Sequence, residues 1–485
     1  MISLIKQLEP TSLWSHFADL NAVPRASKKE EQVIEFMLEF GQGLGLPTRK
    51  DASGNVIITK PGTEGKEKNS PVVLQSHLDM VHQKNSDTDF DFATQGIQMR
   101  IGGDWVKAEG TTLGADNGIG VAAMMALLSS TNIAHPPLEA LFTIDEETGM
   151  TGAKGFQGGE LEGKVLLNLD TEDDTELTIG CAGGVDILGE GHFVPLPAPS
   201  EFRAFTLSVS GLTGGHSGMD IHLGRGNANK ILARLLVAID RDYSLALSSI
   251  DGGGLRNAIP REAKAVFGLP AGEVEAMTNL VGSLTQELQA EHRTTDPELR
   301  IQLEATASGH DLEVLPPDFQ LRLTRALHSL ANGIYRMSPE VESLVQTSSN
   351  LARVIVSERK VHVACLCRGS VDSEKMDMAS AIRASLELAG LEVQFEGGYP
   401  GWAPKPEAHI VQLMSEIYTE LFDEKPHVNA CHAGLECGIL GTHYPEMEMI
   451  SFGPNIRGAH SPDERVQISS VQKTWRLLTE TLARL

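Results

Sequence analysis

Cysteine is scarce in this chain, with five in 485 residues. The number is odd, the spacing is wide and no Cys-x-x-Cys occurs. That argues against a disulfide framework and fits free thiols in a reducing compartment. The Cys365-x-Cys367 pair has two readings, soft-metal donors or alternating strand positions facing a core, and the second is favoured. Basic charge is also short. Lys and Arg number 40 against 65 Asp and Glu, a formal net charge of −25. Such a chain is a poor partner for nucleic acid, anionic membrane surfaces or other polyanions. Long apolar runs are missing too. The N-terminal MISLIKQLEPTSLWSHF has no sustained apolar segment and no small-residue cleavage site, so no signal peptide is expected. The longest uncharged stretch, Gly118 to His135, carries Ser, Thr and Asn and is too short and polar to span a bilayer. A cytoplasmic protein is expected.

What is present is the composition of a folded, multidomain protein. Hydrophobic residues make up 41% and charged residues 22%, enough apolar content to form compact cores. The length suits two or three domains. The first part alternates strand-like and helix-like segments. Pro71–Ser76, Leu138–Ile144 and Lys164–Leu169 are short apolar runs of the buried-strand kind. Asn117–Leu128 is rich in Ala, Met and Leu and reads as a helix capped by Asp116 or Asn117. Strands separated by helices predict a three-layer α/β domain around a mostly parallel sheet.

Near Gly183 the pattern changes. Phe202–Ser210 alternates apolar and polar residues, as a half-exposed strand does. A helix is expected over Asn227–Ile239, with more helices and alternating strands to about Gly397. This is the pattern of an α+β domain with an antiparallel sheet. From about Pro404 the earlier style returns, with a helix at Ile410–Leu421, a strand at Met447–Phe452 and a closing helix at Ser469–Leu485. The economical reading is a discontinuous α/β catalytic domain, residues 1–184 and 398–485, with an α+β lid inserted at 185–397.

Five segments carry chemistry. His77 and Asp79, in Ser76-His-Leu-Asp-Met80, follow a strand and lie two apart, so they point to one side. A carboxylate in that position can orient a metal-binding imidazole. Asp116, in Gly114-Ala-Asp-Asn-Gly118, opens a helix. Glu146 and Glu147 lie in Asp145-Glu-Glu-Thr-Gly149 after a strand, and Asp170 ends Leu166-Leu-Asn-Leu-Asp170. His460 lies in Gly458-Ala-His-Ser-Pro-Asp463. Singly, each has an ordinary explanation as a surface histidine, a helix cap or a solvated acidic face. Together they sit at or beyond the carboxyl ends of predicted strands, which in an open α/β sheet converge on one crevice. A mixed His/carboxylate set there suits zinc, with manganese or cobalt as further options.

The motifs HLDM at 77–80, GADNG at 114–118, DEETG at 145–149, NLD at 168–170 and GAHSPDE at 458–464 resemble the di-zinc peptidase family that contains carnosinases and aminoacylase-like enzymes. GCAGG at 180–184, GGHSG at 214–218, GRGNANK at 224–230, LRNAIPRE at 255–262, GGYPGW at 397–402 and HAGLECG at 432–438 bring it nearest to that family's bacterial aminoacylhistidine (Xaa-His) dipeptidase branch. The resemblance implies two divalent metal ions per chain, with Asp116 bridging, His77 and Asp170 completing one site, and Glu147 and His460 the other. It implies that Glu146 is the catalytic carboxylate, that Asp79 supports His77, and that the Asp116–Asn117 peptide is cis. Two metals sharing a carboxylate acidify a water held between them, and Glu146 then moves its proton to the leaving amine. From the sequence alone, Glu146 and Glu147 could exchange roles.

The resemblance further makes His216 an oxyanion-stabilising residue of the lid, and Asn257 and Arg368 binders of the substrate's terminal carboxylate. The inserted segment is about twice the length the simplest family members imply, which suggests two lid units. A small peptide substrate and a homodimer are expected. The alternatives are an N-acyl amino acid amidohydrolase or aminopeptidase on the same scaffold, or a non-catalytic metal-dependent binding protein.

Overall fold

The computed structural model describes residues 2–306 and 312–485; residues 307–311, within the expected lid segment, lie outside that description. The chain separates into two compact units. One comprises Met1–Gly180, Trp402–Ala430 and Leu435–Leu485, the other Cys181–Gly401 and Cys431–Gly434.

The first unit is built on an eight-stranded sheet. Its centre is four parallel strands in the order Leu138–Thr143, Val72–His77, Val165–Asn168, Glu448–Ser451. The runs Val72–His77 and Leu138–Thr143 are buried at every position, as strands covered on both faces must be. Thr48–Lys50 and Val56–Lys60 add antiparallel to one side, and Glu176–Cys181 to the other. The helix Ala115–Ser129 is buried around nearly its whole circumference, which is why its sequence shows no polar stripe. Gly120 lets it approach the sheet closely. A Cβ there would meet Ser76 Oγ at 2.4 Å and the Leu169 carbonyl oxygen at 2.8 Å. Helices Thr11–Leu20, His409–Phe422 and Ile468–Arg484 contribute to the same apolar core. Because the central strands are parallel, the ends bearing His77, Thr143 and Asn168 lie along one edge of the sheet.

The second unit has a nine-stranded sheet whose pairings are all antiparallel. Its connectivity contains one βαββαβ pattern twice. The first copy runs Phe202–Ser210, helix Ala228–Asp242, Ala246–Gly253, Ala263–Pro270, helix Val274–Glu291, Arg300–Ala305. The second begins with Gly183–His192, is interrupted by the whole first copy, and resumes with helix Pro317–Ser329, Val345–Ser357, Lys360–Gly369, helix Asp372–Leu388 and Glu392–Tyr399. The copies join where Ala246–Gly253 pairs with Val345–Ser357, so each covers an edge strand the other would leave open. The doubling accounts for the length of the segment. Cys365 and Cys367 belong to this unit's apolar core. Burial pushes the Cys367 thiol up to about 12 and Cys365 higher still, so both are inert packing residues.

The fold is mixed α/β with a parallel-centred sheet and a separate antiparallel sheet, as the strand and helix pattern predicts. Among the described residues, no helix is long and apolar enough to cross a membrane.

Candidate metal centre

Each chemistry-bearing segment of the first unit is delivered by a sheet end or a loop beside it. His77 is the last residue of its strand. Asp170 lies two residues beyond the strand ending at Asn168, and Glu146 and Glu147 follow the strand ending at Thr143. Asp116 is extended, at φ −80° and ψ 108°, and Asn117 after it is also non-helical, at φ −107° and ψ 28°, so Asp116 does not follow the repeat of the helix it opens. The Asp116–Asn117 peptide is cis. His460 has φ 63° in a loop after Ile456–Arg457.

The Asp116 carboxylate lies between two histidines. Its Oδ1 is 3.2 Å from His77 Nε2, and its Oδ2 is 3.3 Å from His460 Nε2. His77 Nε2 is also 3.5 Å from Asp170 Oδ1, and His460 Nε2 is 3.0 Å from Glu147 Oε2. Donor atoms of His77, Asp116 and Asp170 all lie within 4.8 Å of one another, and so do those of Asp116, Glu147 and His460. The two triads share Asp116. A third cluster contains His77, Glu146 and Glu147. The neighbours that looked interchangeable in sequence thus differ in place, since Glu147 pairs with His460 in the geometry and Glu146 does not.

The electrostatics favour a cation here. Burial alone would lower the pKa of His77, yet Asp170, Asp116 and Asp79 raise it well above its ordinary value. Hydrogen bonds to Asp116 and Glu147 raise His460 to about 11. Burial opposes ionisation of Asp116, but the bonds from His460 and His77 hold its carboxyl below the usual range. Asp170 is lifted by burial to about 6. The buried Glu147 Oε1 has no hydrogen-bond partner, and Asp170 Oδ1 has only the long 3.5 Å approach of His77 Nε2. A set of N and O donors that stabilises positive charge and leaves a buried carboxylate oxygen unpartnered fits a divalent metal.

Asp79 lies behind His77, its Oδ1 3.3 Å from His77 Nδ1. The same carboxylate accepts the backbone N–H groups of Glu146 and Glu147 at 3.0 and 3.3 Å. It therefore orients one imidazole and the loop bearing both glutamates. Burial raises the Glu146 carboxyl well above its ordinary pKa, and Asp170, Glu147 and Glu436 reinforce the shift against His77.

Three further buried groups support this edge, and sequence reasoning assigned none of them a role. Glu436, in HAGLECG, accepts hydrogen bonds from Gln75 Nε2 at 2.6 Å and Thr143 Oγ1 at 2.5 Å. Asn168 Nδ2 donates to Gln75 Oε1. This network links the strands that lead to His77, Glu146 and Asp170. Burial pushes Glu436 up to about 8. The other two groups are Arg25 and Glu464. The sequence signal for Glu464 was its place four residues after His460 in a motif already singled out, whereas Arg25 had none.

In the second unit, Arg368 is buried. It donates to Tyr399 Oη at 3.0 Å, and its NH2 atom is 3.5 Å from His216 Nε2. His216 Nδ1 accepts from the Gly218 and Met219 backbone N–H groups, which places the ring proton on Nε2. Burial and then Arg368 lower the His216 pKa, so the ring is neutral at pH 7. Two donors therefore face one another, an arrangement that an anionic acceptor relieves. Asn257 is exposed, and its backbone oxygen accepts from Ser217 N–H at 2.7 Å. His432, the first residue of HAGLECG, bonds Ser348 Oγ at 2.7 Å through Nε2.

A parallel-sheet edge carrying a cation-stabilising His/carboxylate cluster defines the class of α/β protein with a candidate divalent-metal centre at its strand ends. The profile of peptidase family M20/M25/M40 matches residues 73–484, and the chain belongs to this family. It is 43% identical over 481 residues to the cytosol non-specific dipeptidase of Escherichia coli (strain K12), covering 99% of both chains. It is also 43% identical to the aminoacylhistidine dipeptidase of Vibrio alginolyticus, whose crystal structure superposes with a TM-score of 0.94 over 99% of this chain and 98% of that one. The aminopeptidase PepT of Bacillus cereus shares the fold at 15% identity, with a TM-score of 0.57 over 98% of each chain.

Proposed function

We propose that this chain is a cytoplasmic dipeptidase that works with two divalent metal ions, zinc by preference and manganese or cobalt as alternatives. The observation that carries the reading is the division of the Asp116 oxygens between two His/carboxylate pairs. Asp116 would bridge the ions, His77 and Asp170 would hold one, and Glu147 and His460 the other. The ions would supply an acidified water and a polarised carbonyl near neutral pH.

The remaining chemistry belongs to the chain. Asp79 holds His77 and the glutamate loop in place. Glu146 takes the proton of the attacking water and returns it to the leaving amine nitrogen, a cycle suited to a carboxyl with a raised pKa. His216 stabilises the oxyanion, and Arg368 with Asn257 binds the substrate's terminal carboxylate. The two facing donors of Arg368 and His216 support an anion-binding role. The dipeptidase reading draws on the names of the two relatives at 43% identity, one called non-specific and one aminoacylhistidine. Xaa-His dipeptides such as carnosine are accordingly proposed as substrates within a broader dipeptide range. The cytosolic relative supports the proposed compartment.

Metal analysis of the purified protein, paired with hydrolysis assays, tests the reading. Two ions per chain and turnover of dipeptides over tripeptides and N-acyl amino acids are expected. Full activity with well under two ions, or a preference for acyl substrates, overturns it. Arg368→Met should raise KM for dipeptides by about 10–100-fold, the worth of a charge-assisted carboxylate contact. It should also abolish discrimination against C-terminally amidated dipeptides. Unchanged discrimination would remove Arg368 from carboxylate binding.

A further inference from the structure

The loop Gly458–Glu464 carries two side chains to the same carboxylate segment. Its His460 lies 3.3 Å from Asp116 Oδ2. Its Glu464, almost fully buried, grips the backbone just before and at Asp116. Glu464 Oε2 accepts the N–H groups of Leu113 and Gly114 at 2.6 and 2.8 Å, and Oε1 accepts those of Ala115 and Asp116 at 2.7 and 3.2 Å. Four consecutive amides thus converge on one carboxylate from about 350 residues away, a nest for an anion supplied by the protein itself. The same segment is also held by Arg25, which donates to the carbonyls of Gly114, Leu78 and Asp79 and so ties the Asp116 loop to the loop after His77. Gly114 fits this packing in a left-handed conformation, φ 70°, where a Cβ would meet Arg25 NH2 at 2.4 Å. Glu464 is also the largest charge offsetting the burial of Arg25.

We infer that Glu464 is a positioning residue that sets the Asp116 carboxylate between His77 and His460 before any metal arrives. This rests on the reading of Asp116 as the bridge between two ions. Glutamine at position 464 would turn an NH2 group toward two of the four amide donors and leave Arg25 without its main counter-charge. Aspartate would keep the charge with a shorter reach.

Metal binding and kinetics test this on the holoenzyme after stepwise chelation. Glu464→Gln should weaken metal affinity by about 10–100-fold, the range for groups that orient metal ligands. It should lower kcat and leave KM for a dipeptide nearly unchanged, and Glu464→Asp should recover part of the affinity. A merely structural role predicts a lower Tm with unchanged metal affinity in the folded variant, and that result overturns the inference. Hydrogen exchange on the wild-type chain gives a readout that no folding defect can obscure. The amides of residues 113–116 should stay protected after the metal is stripped, and rapid exchange there also overturns the inference. Wild-type protein binding fewer than two ions would instead overturn the dinuclear reading, whatever the Glu464 variants do.

Discussion

Glu146→Gln should lower kcat by about 10²–10⁴-fold, the contribution of a positioned general base, while the protein keeps its full metal content. The amide has the shape of the carboxyl but cannot carry a proton from water to the leaving amine. The donors around Asp116 are untouched, because the contacts of the two triads run through His77, Asp170, Glu147 and His460. Glu147→Gln should behave differently, since its Oε2 lies 3.0 Å from His460 Nε2, and metal should be lost along with activity. Measuring kcat and metal stoichiometry on both variants separates two residues that are adjacent in sequence. Full activity in Glu146→Gln, or metal loss equal to that in Glu147→Gln, would sink the assignment.

Asp116→Ala should empty both positions together. Each oxygen of this carboxylate faces a different histidine, so one truncation removes a donor from both triads. Loss of the metals forfeits several kcal/mol of transition-state stabilisation, which is about 10³-fold or more in rate. The expected result is a folded protein, judged by far-UV circular dichroism, with metal content below one ion per chain and activity near background. Two ions retained per chain would refute the shared-carboxylate arrangement.

The proposed ligand set was legible because four of its five members accompany a feature visible in one dimension. His77 ends an apolar strand run, Glu147 and Asp170 lie within four residues of the ends of two others, and Asp116 opens a helix of buried small and apolar residues. Parallel strands then align those ends without further instruction. The supporting groups were not legible in this way. Glu464 acts on backbone amides about 350 residues earlier, and a backbone N–H has no sequence signature. Glu436 reaches Gln75 and Thr143, which read only as polar positions in buried strands. The lid shows the same division. Its length suggested doubling, but the nesting of one βαββαβ unit inside another depends on the long-range pairing of Ala246–Gly253 with Val345–Ser357.

The sequence by itself determined the α/β core, the family motifs and the inventory of histidines and carboxylates proposed to hold metal, because strand periodicity and residue chemistry are local properties. Only the tertiary structure decided that Asp116 lies between two histidines, that Glu147 rather than Glu146 faces His460, and that Glu464 holds the amides and Arg25 a carbonyl of the Asp116 loop. Those are distances between atoms far apart along the chain, and they exist only once the strands are in register and the loops are packed.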